Sequence, residues 1–125
     1  MSLTATERNE LLVEARHWAD SDPDHATAAQ LRKLLEEASA EGAAAEAALA
    51  ELTDRFSGTL EFGTAGLRAA LGAGPMRMNR AVVRRTAAGI ASFLQDKSEG
   101  WVPSAVIGYD ARHNSKAFAL ETAAV

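Results

Sequence analysis

The chain is 125 residues long, enough for one modest domain, and its 47% hydrophobic and 24% charged residues are those of an ordinary globular protein. It has no cysteine, which excludes disulfides, thiol catalysis and thiolate metal sites and fits a reducing, cytoplasmic location; no apolar run approaches the roughly 20 residues of a membrane span, and the N-terminus lacks the basic-then-apolar pattern of a secretion signal. The net charge of −4 is uneven: residues 1–55 carry 12 acidic and 5 basic side chains, whereas residues 56–125 carry 5 and 8, so the second part suits a small anionic partner, while that slight excess and 6% aromatics argue against nucleic acid.

The first fifty-five residues read as a helical N-terminal extension. Thr4 and Glu7 have the spacing of a capping box, and Leu11, Ala15 and Trp18 then recur at helical spacing. Asp22-Pro23 interrupts that pattern. Thr27 and Gln30 have the spacing of a second capping box, ahead of Leu31, Leu34, Leu35 and Ala38 on one face. Gly42 punctuates, and Ala43 to Leu52 form an alanine-rich third helix. These helices are expected to pack on a neighbouring domain and to carry no chemistry of their own.

Residues 56–125 have the texture of an incomplete mixed α/β domain. Phe56 to Gly63 read as an extended approach, Leu67 to Leu71 as a short strand, and Gly72, Gly74 and Pro75 as a loop. Asn79 is a plausible N-cap for a helix whose apolar stripe is Val83, Ala87, Ile90 and Leu94. Ser104 to Tyr109 form a short apolar run, β-branched at its centre, which predicts a buried strand. Asp110 to Ser115 make a loop, and Asn114 or Ser115 caps a last helix. Phe118, Ala119, Thr122 and Val125 keep helical spacing to the final residue without a stop signal, which reads as the N-terminal piece of a longer protein. Such an interrupted domain is expected to leave an unpaired sheet edge and apolar surface, and so to self-associate.

Chemistry concentrates in Glu61-Phe62-Gly63-Thr64-Ala65-Gly66-Leu67-Arg68. Two glycines bracket a hydroxyl, and a guanidinium follows two positions after the second. Backbone N–H groups and a threonine hydroxyl can bind phosphate oxygens, and arginine binds them as a permanently charged fork. A glycine-rich turn entering a strand, with a surface arginine, is the alternative reading.

The string Glu61 to Ala70 resembles the N-terminal signature of the α-D-phosphohexomutase superfamily, in its phosphoglucomutase/phosphopentomutase-like branch, whose bacterial members are often labelled phosphomannomutase. Gly74-Pro75-Met76-Arg77-Met78-Asn79 resembles that branch's G-P-x-R-M-N segment, and Val106 to Ser115 its strand-to-helix G-Y-D-x-R-x-x-S segment. Trp18 to Leu35 look like its helical lead-in. The resemblance runs from about residue 18 to the end, with four segments in order.

The resemblance implies the first of four domains of a phosphosugar mutase. Such an enzyme moves phosphate between C1 and C6 (or C5) of a sugar through a phosphoserine and a sugar bisphosphate. It implies Arg68 as a catalytic residue and Thr64 and Arg68 as substrate contacts; Asp110, Arg112 and Ser115, just past the C-terminal end of a predicted strand where α/β proteins place their ligands, read as supporting residues, with a structural clamp as the alternative for the Asp–Arg pair. It also implies Mg²⁺, a sugar 1,6-bisphosphate activator and downstream domains as partners. The family's phosphorylatable serine is followed by His-Asn-Pro, whereas here the order is Arg112-His113-Asn114-Ser115, so Ser115 is not the nucleophile. The serine and the metal ligands are expected beyond Val125, leaving the 125 residues alone inactive, with no metal ligand among them. His113 reads as a loop residue, Arg80, Arg84 and Arg85 as solvated helix-face arginines, and Arg77 stays open between loop and ligand. A non-enzymatic anion- or partner-binding module is the rival reading. A nucleotide-phosphate enzyme is disfavoured, because neither G-x-x-x-x-G-K-[ST] nor G-x-G-x-x-G is present.

Overall fold

The computed structural model describes residues 2–125, which form two compact units, the first running to Asn79 and the second Arg80–Val125. The first contains helices α1 (Ala5–Ser21), α2 (His25–Ser39) and α3 (Ala43–Arg55). The capping box starts α1 as the sequence predicts: the Thr4 hydroxyl accepts the Glu7 N–H at 3.2 Å and the Glu7 carboxylate accepts the Thr4 N–H at 2.8 Å. Helix α2 starts earlier than predicted. Its N-cap is Asp24, whose carboxylate accepts the Ala26 N–H at 2.9 Å, and Thr27 lies inside the helix with its hydroxyl donating to Asp22 at 2.7 Å. An aspartate at this position is as good a cap as a threonine, and Asp22 occupies the threonine hydroxyl.

Short connections make the three helices antiparallel neighbours. Their shared core is built of Ala15, Ala19, Leu31, Leu35, Ala38, Ala48 and Leu52, where small alanines let the backbones approach and leucines fill the remaining volume. Leu31 and Leu52 are fully buried, and each such leucine contributes roughly 1.5–3 kcal/mol. Trp18 packs edge-to-face on Phe56, with ring centroids 6.1 Å apart, and so holds the end of α3 against α1.

Residues 56–79 complete this unit without a helix. Gly63 and Gly66 form an isolated antiparallel bridge, and Leu71 and Met78 another isolated bridge. The strap between the second pair, Gly72 to Pro75, is buried, and Ala73 joins the helical core with no exposed surface.

The second unit holds α4 (Arg80–Lys97) and α5 (Ser115–Ala123). The predicted apolar stripe of α4 is only partly buried: Ala87 is covered, together with Val82 from the adjoining position, but Ile90 is 48% exposed. The two helices meet at Glu121, a buried carboxylate that accepts from Arg80 Nε at 2.7 Å and pairs also with Arg84.

The mixed α/β layer expected from the sequence is not formed. Among the described residues there are five helices and no strand, only the two isolated bridges. The predicted strand at Leu67–Leu71 reduces to the single bridge of Leu71, and Ser104–Tyr109 carries no regular structure, with Val106 fully exposed. The physical reason is that a strand exists only through ladder hydrogen bonds to a neighbour, which β-branched composition cannot replace. No helix among the described residues is long and apolar enough to cross a membrane.

Candidate functional site

Arg68 is presented by two small backbone devices. Upstream, the Gly63 N–H donates to the Gly66 carbonyl at 3.0 Å and the Gly66 N–H returns to the Gly63 carbonyl at 3.2 Å, closing a two-residue turn over Thr64 and Ala65. Gly66 has φ +93°, a left-handed conformation that L side chains rarely adopt, so glycine is required there. Downstream, the Met78 N–H donates to the Ala70 carbonyl at 2.8 Å. Between these points Arg68 is exposed and has no hydrogen-bond or ion-pair partner among the described residues. Thr64 is exposed at the tip of the turn. An uncommitted guanidinium and an exposed hydroxyl on the same loop are groups an incoming oxyanion can use.

The neighbouring G-P-x-R-M-N segment has a different role. Arg77 is ion-paired with Asp54 and lies 3.6 Å from Glu51, with 16% of its side chain exposed, so its charge is already engaged within α3. The Asn79 side-chain amide donates to the carbonyls of Gly72 and Gly74, both at 2.8 Å, and pins the strap closed. Beneath it lies Arg55, which is 8% exposed. Its Nε donates to Glu51 at 2.8 Å, and its Nη1 donates to Gln30 at 3.0 Å and to the Ala73 carbonyl at 3.1 Å. Neither Arg55 nor Gln30 stands out in the sequence. One closes a helix like any last-turn arginine, and the other reads as half of a capping box.

The second set of candidate residues belongs to the other unit. Asp110 and Arg112 form a closed pair: Arg112 Nε and Nη2 reach one carboxylate oxygen at 2.9 and 2.8 Å, and the Arg112 N–H reaches the other at 3.0 Å. The hydrogen bonds from the Arg112 side chain and backbone hold the exposed Asp110 carboxyl at about 2, well below the usual aspartate range. The Ser115 hydroxyl accepts the Asp110 N–H at 3.1 Å, and Asn114, at φ +65°, is the residue from which α5 starts. Asp110, Arg112 and Ser115 are therefore one local loop motif. His113 is exposed and makes no side-chain bond among the described residues.

Arg80 and Arg84, expected on a solvated face, instead converge on Glu121. Burial pushes the Glu121 carboxyl up, but hydrogen bonds and charge from the two arginines outweigh it and leave the carboxyl lowered. Helical spacing cannot show this, because the acid that collects them lies about forty residues on. No group of three or more His, Asp or Glu side chains that could hold a metal ion converges among the described residues.

The family profile described as phosphoglucomutase/phosphomannomutase, alpha/beta/alpha domain I, matches residues 59–125, the stretch containing both loops. With more than half of its length matched in this way, the chain belongs to the phosphoglucomutase/phosphomannomutase family of the α-D-phosphohexomutase superfamily. It is 52% identical over 64 residues to a phosphoglucomutase of Staphylococcus haemolyticus, covering 51% of this chain and 11% of that protein. It is 46% identical over 70 residues to the phosphoglucomutase of Staphylococcus saprophyticus, covering 56% and 12%. It is 43% identical over 74 residues to the phosphoribomutase of Saccharomyces cerevisiae, covering 59% and 12%. The chain thus spans about one eighth or less of the length of these relatives. No solved structure matches it significantly.

Proposed function

We propose that this chain is the opening part of a phosphosugar mutase that transfers phosphate between C1 and C6 (or C5) of a sugar through a phosphoserine and a sugar bisphosphate. The observation that carries the reading is Arg68, exposed and uncommitted on a loop closed by a glycine turn, in a family whose named members act as phosphoglucomutases and phosphoribomutases. Transfer of a phosphoryl group relies on positioning and on stabilising dispersed negative charge. In this reading Arg68 is the catalytic cation, Thr64 donates to a phosphate oxygen, and Asp110, Arg112 and Ser115 shape a supporting loop.

In this reading the nucleophilic serine and the ligands for Mg²⁺ come from other parts of the enzyme; the placement of the serine is supported by the sequence, where no serine is followed by His-Asn-Pro. The sugar 1,6-bisphosphate acts as activator. A cytoplasmic location belongs to the same reading, supported by the cysteine-free composition. So does docking against further domains or another copy, supported by exposed Phe93, Trp101, Val102 and Val106 in the second unit.

The test is an isomerisation assay on glucose, mannose and ribose 1-phosphates with a full-length mutase carrying this segment. Turnover is expected with Mg²⁺ and a sugar bisphosphate and without ATP, and none from the 125 residues alone. ATP-dependent phosphorylation, or isomerisation by the isolated chain, would overturn the reading.

A further inference from the structure

The glycine strap is bolted to the helical extension through one buried cation. Gln30 of α2 accepts from two donors with its amide oxygen, Arg55 Nη1 at 3.0 Å and the Ala73 N–H at 2.9 Å. Arg55 donates back to the Ala73 carbonyl at 3.1 Å, and its own carbonyl accepts the Met76 N–H at 3.0 Å. Both polar groups of Ala73 are thereby held by side chains of α2 and α3. Contact is close enough to need glycine: a Cβ on Gly74 would stand 3.0 Å from Arg55 Cβ and 3.2 Å from the Arg55 carbonyl. The far ends of this strap, Gly72 and Met78, bond to one another and, through the Ala70 carbonyl, to the segment that carries Arg68.

The Arg68 side chain is exposed and makes no hydrogen bond or ion pair among the described residues, so its location follows its backbone. That backbone has two anchors. One is the Gly63–Gly66 turn, which is self-contained. The other is the Ala70–Met78 end of the strap, whose placement is set by Arg55 and Gln30. We propose that Arg55 and Gln30 are positioning residues for Arg68, so that the three-helix extension is a functional part of the phosphate site; this rests on the reading of Arg68 given above. A guanidinium misplaced by an ångström loses much of its effect on a transferring phosphoryl group.

Gln30 lies at the solvent edge of α2, so its variants retain the core. Gln30→Met keeps the stem and removes the acceptor; Gln30→Glu keeps the acceptor. In the 125-residue chain, Gln30→Met is expected to speed amide exchange at Gly72 and Met78 about tenfold, as loss of a partner for Ala73 and Arg55 requires. The amide order parameters at Leu67–Ala69 should fall as well. Gln30→Glu should restore both, with the amides of α1 unchanged throughout.

In a full-length mutase carrying this segment, Gln30→Met should lower kcat about tenfold with KM little changed, and should cost nothing further in an Arg68→Ala background. Order parameters at Leu67–Ala69 that ignore Gln30→Met would overturn the proposal. So would an equal loss of kcat with and without Arg68. A wild-type enzyme lacking mutase activity defeats the reading of Arg68 instead, while the order parameters still decide whether the clamp sets the loop.

Discussion

The two units use charge in opposite ways. In the first, a buried arginine and the amides of Gln30 and Asn79 fasten an irregular glycine strap to a helical core, while a nearby arginine, Arg68, is left exposed and uncommitted. In the second, Arg80 and Arg84 gather on the buried Glu121 and Arg112 closes on Asp110. Polar groups that leave water must find partners, so burial consumes the hydrogen-bonding capacity of Arg55 and Glu121. Arg68, held away from such partners, has no hydrogen-bond or ion-pair partner among the described residues. An arginine's function here is set by what its backbone places beside it, and residue type says little.

The largest expected effect would break the comparison outright. Arg68→Ala in a full-length mutase should lower turnover by roughly 10²- to 10³-fold, as does loss of one oriented donor at a developing charge, and Arg68→Lys should lower it less. In the 125-residue chain the same changes should leave unfolding within about 0.5 kcal/mol of wild type, because this side chain is exposed and makes no hydrogen bond or ion pair among the described residues. Wild-type turnover in the alanine variant would make the loop a turn and nothing more.

Next comes Gly74→Ala, which strikes the strap and leaves the guanidinium intact. With φ at +106° and a Cβ 3.0 Å from Arg55 Cβ, the substitution combines backbone strain with a clash. It should destabilise the first unit by about 2 kcal/mol in urea unfolding. A neutral result would mean that the strap is not held tightly against α3.

Glu121→Gln removes the acid that holds α4 and α5 together. Leaving two arginines without their anion should cost about 1–2 kcal/mol, less than for a fully buried pair because half of the Arg84 side chain reaches water. Circular dichroism should show helix lost from α4 and α5 before the first unit unfolds.

The smallest effect is the pH response of the loop at Asp110. Its carboxyl is held at about 2 against 3.8 for the free group, so the unfolded chain binds the proton first. The contribution of this pair is therefore complete above pH about 4 and is lost as pH falls through about 2. A carboxyl shift titration should place the Asp110 midpoint near 2. A midpoint at the ordinary value would show that the Arg112 pair does not persist in solution.

Much of this was legible before any coordinates. The capping box at Thr4, the punctuation at Asp22-Pro23 and Gly42, and the three helices follow from local spacing, because helix hydrogen bonds join residues four apart. The glycine turn around Thr64 was equally readable, since a turn is closed by its own four residues. The strands expected at Leu67–Leu71 and Ser104–Tyr109 are not formed among the described residues, although the matched family profile is an alpha/beta/alpha domain, because a strand needs a partner that no local pattern supplies.

By itself, then, the sequence determined the helices and the family, and it singled out Thr64 and Arg68 as the residues proposed to meet an oxyanion. Tertiary structure alone decided which arginines are committed: Arg55 to Ala73 and Gln30, Arg77 to Asp54, Arg80 and Arg84 to Glu121. These partners lie from about twenty to forty positions apart in the chain. Helical and turn geometry links only near neighbours, so long-range pairs of this kind are fixed by packing, where each buried charge has to meet its counterpart or stay in water.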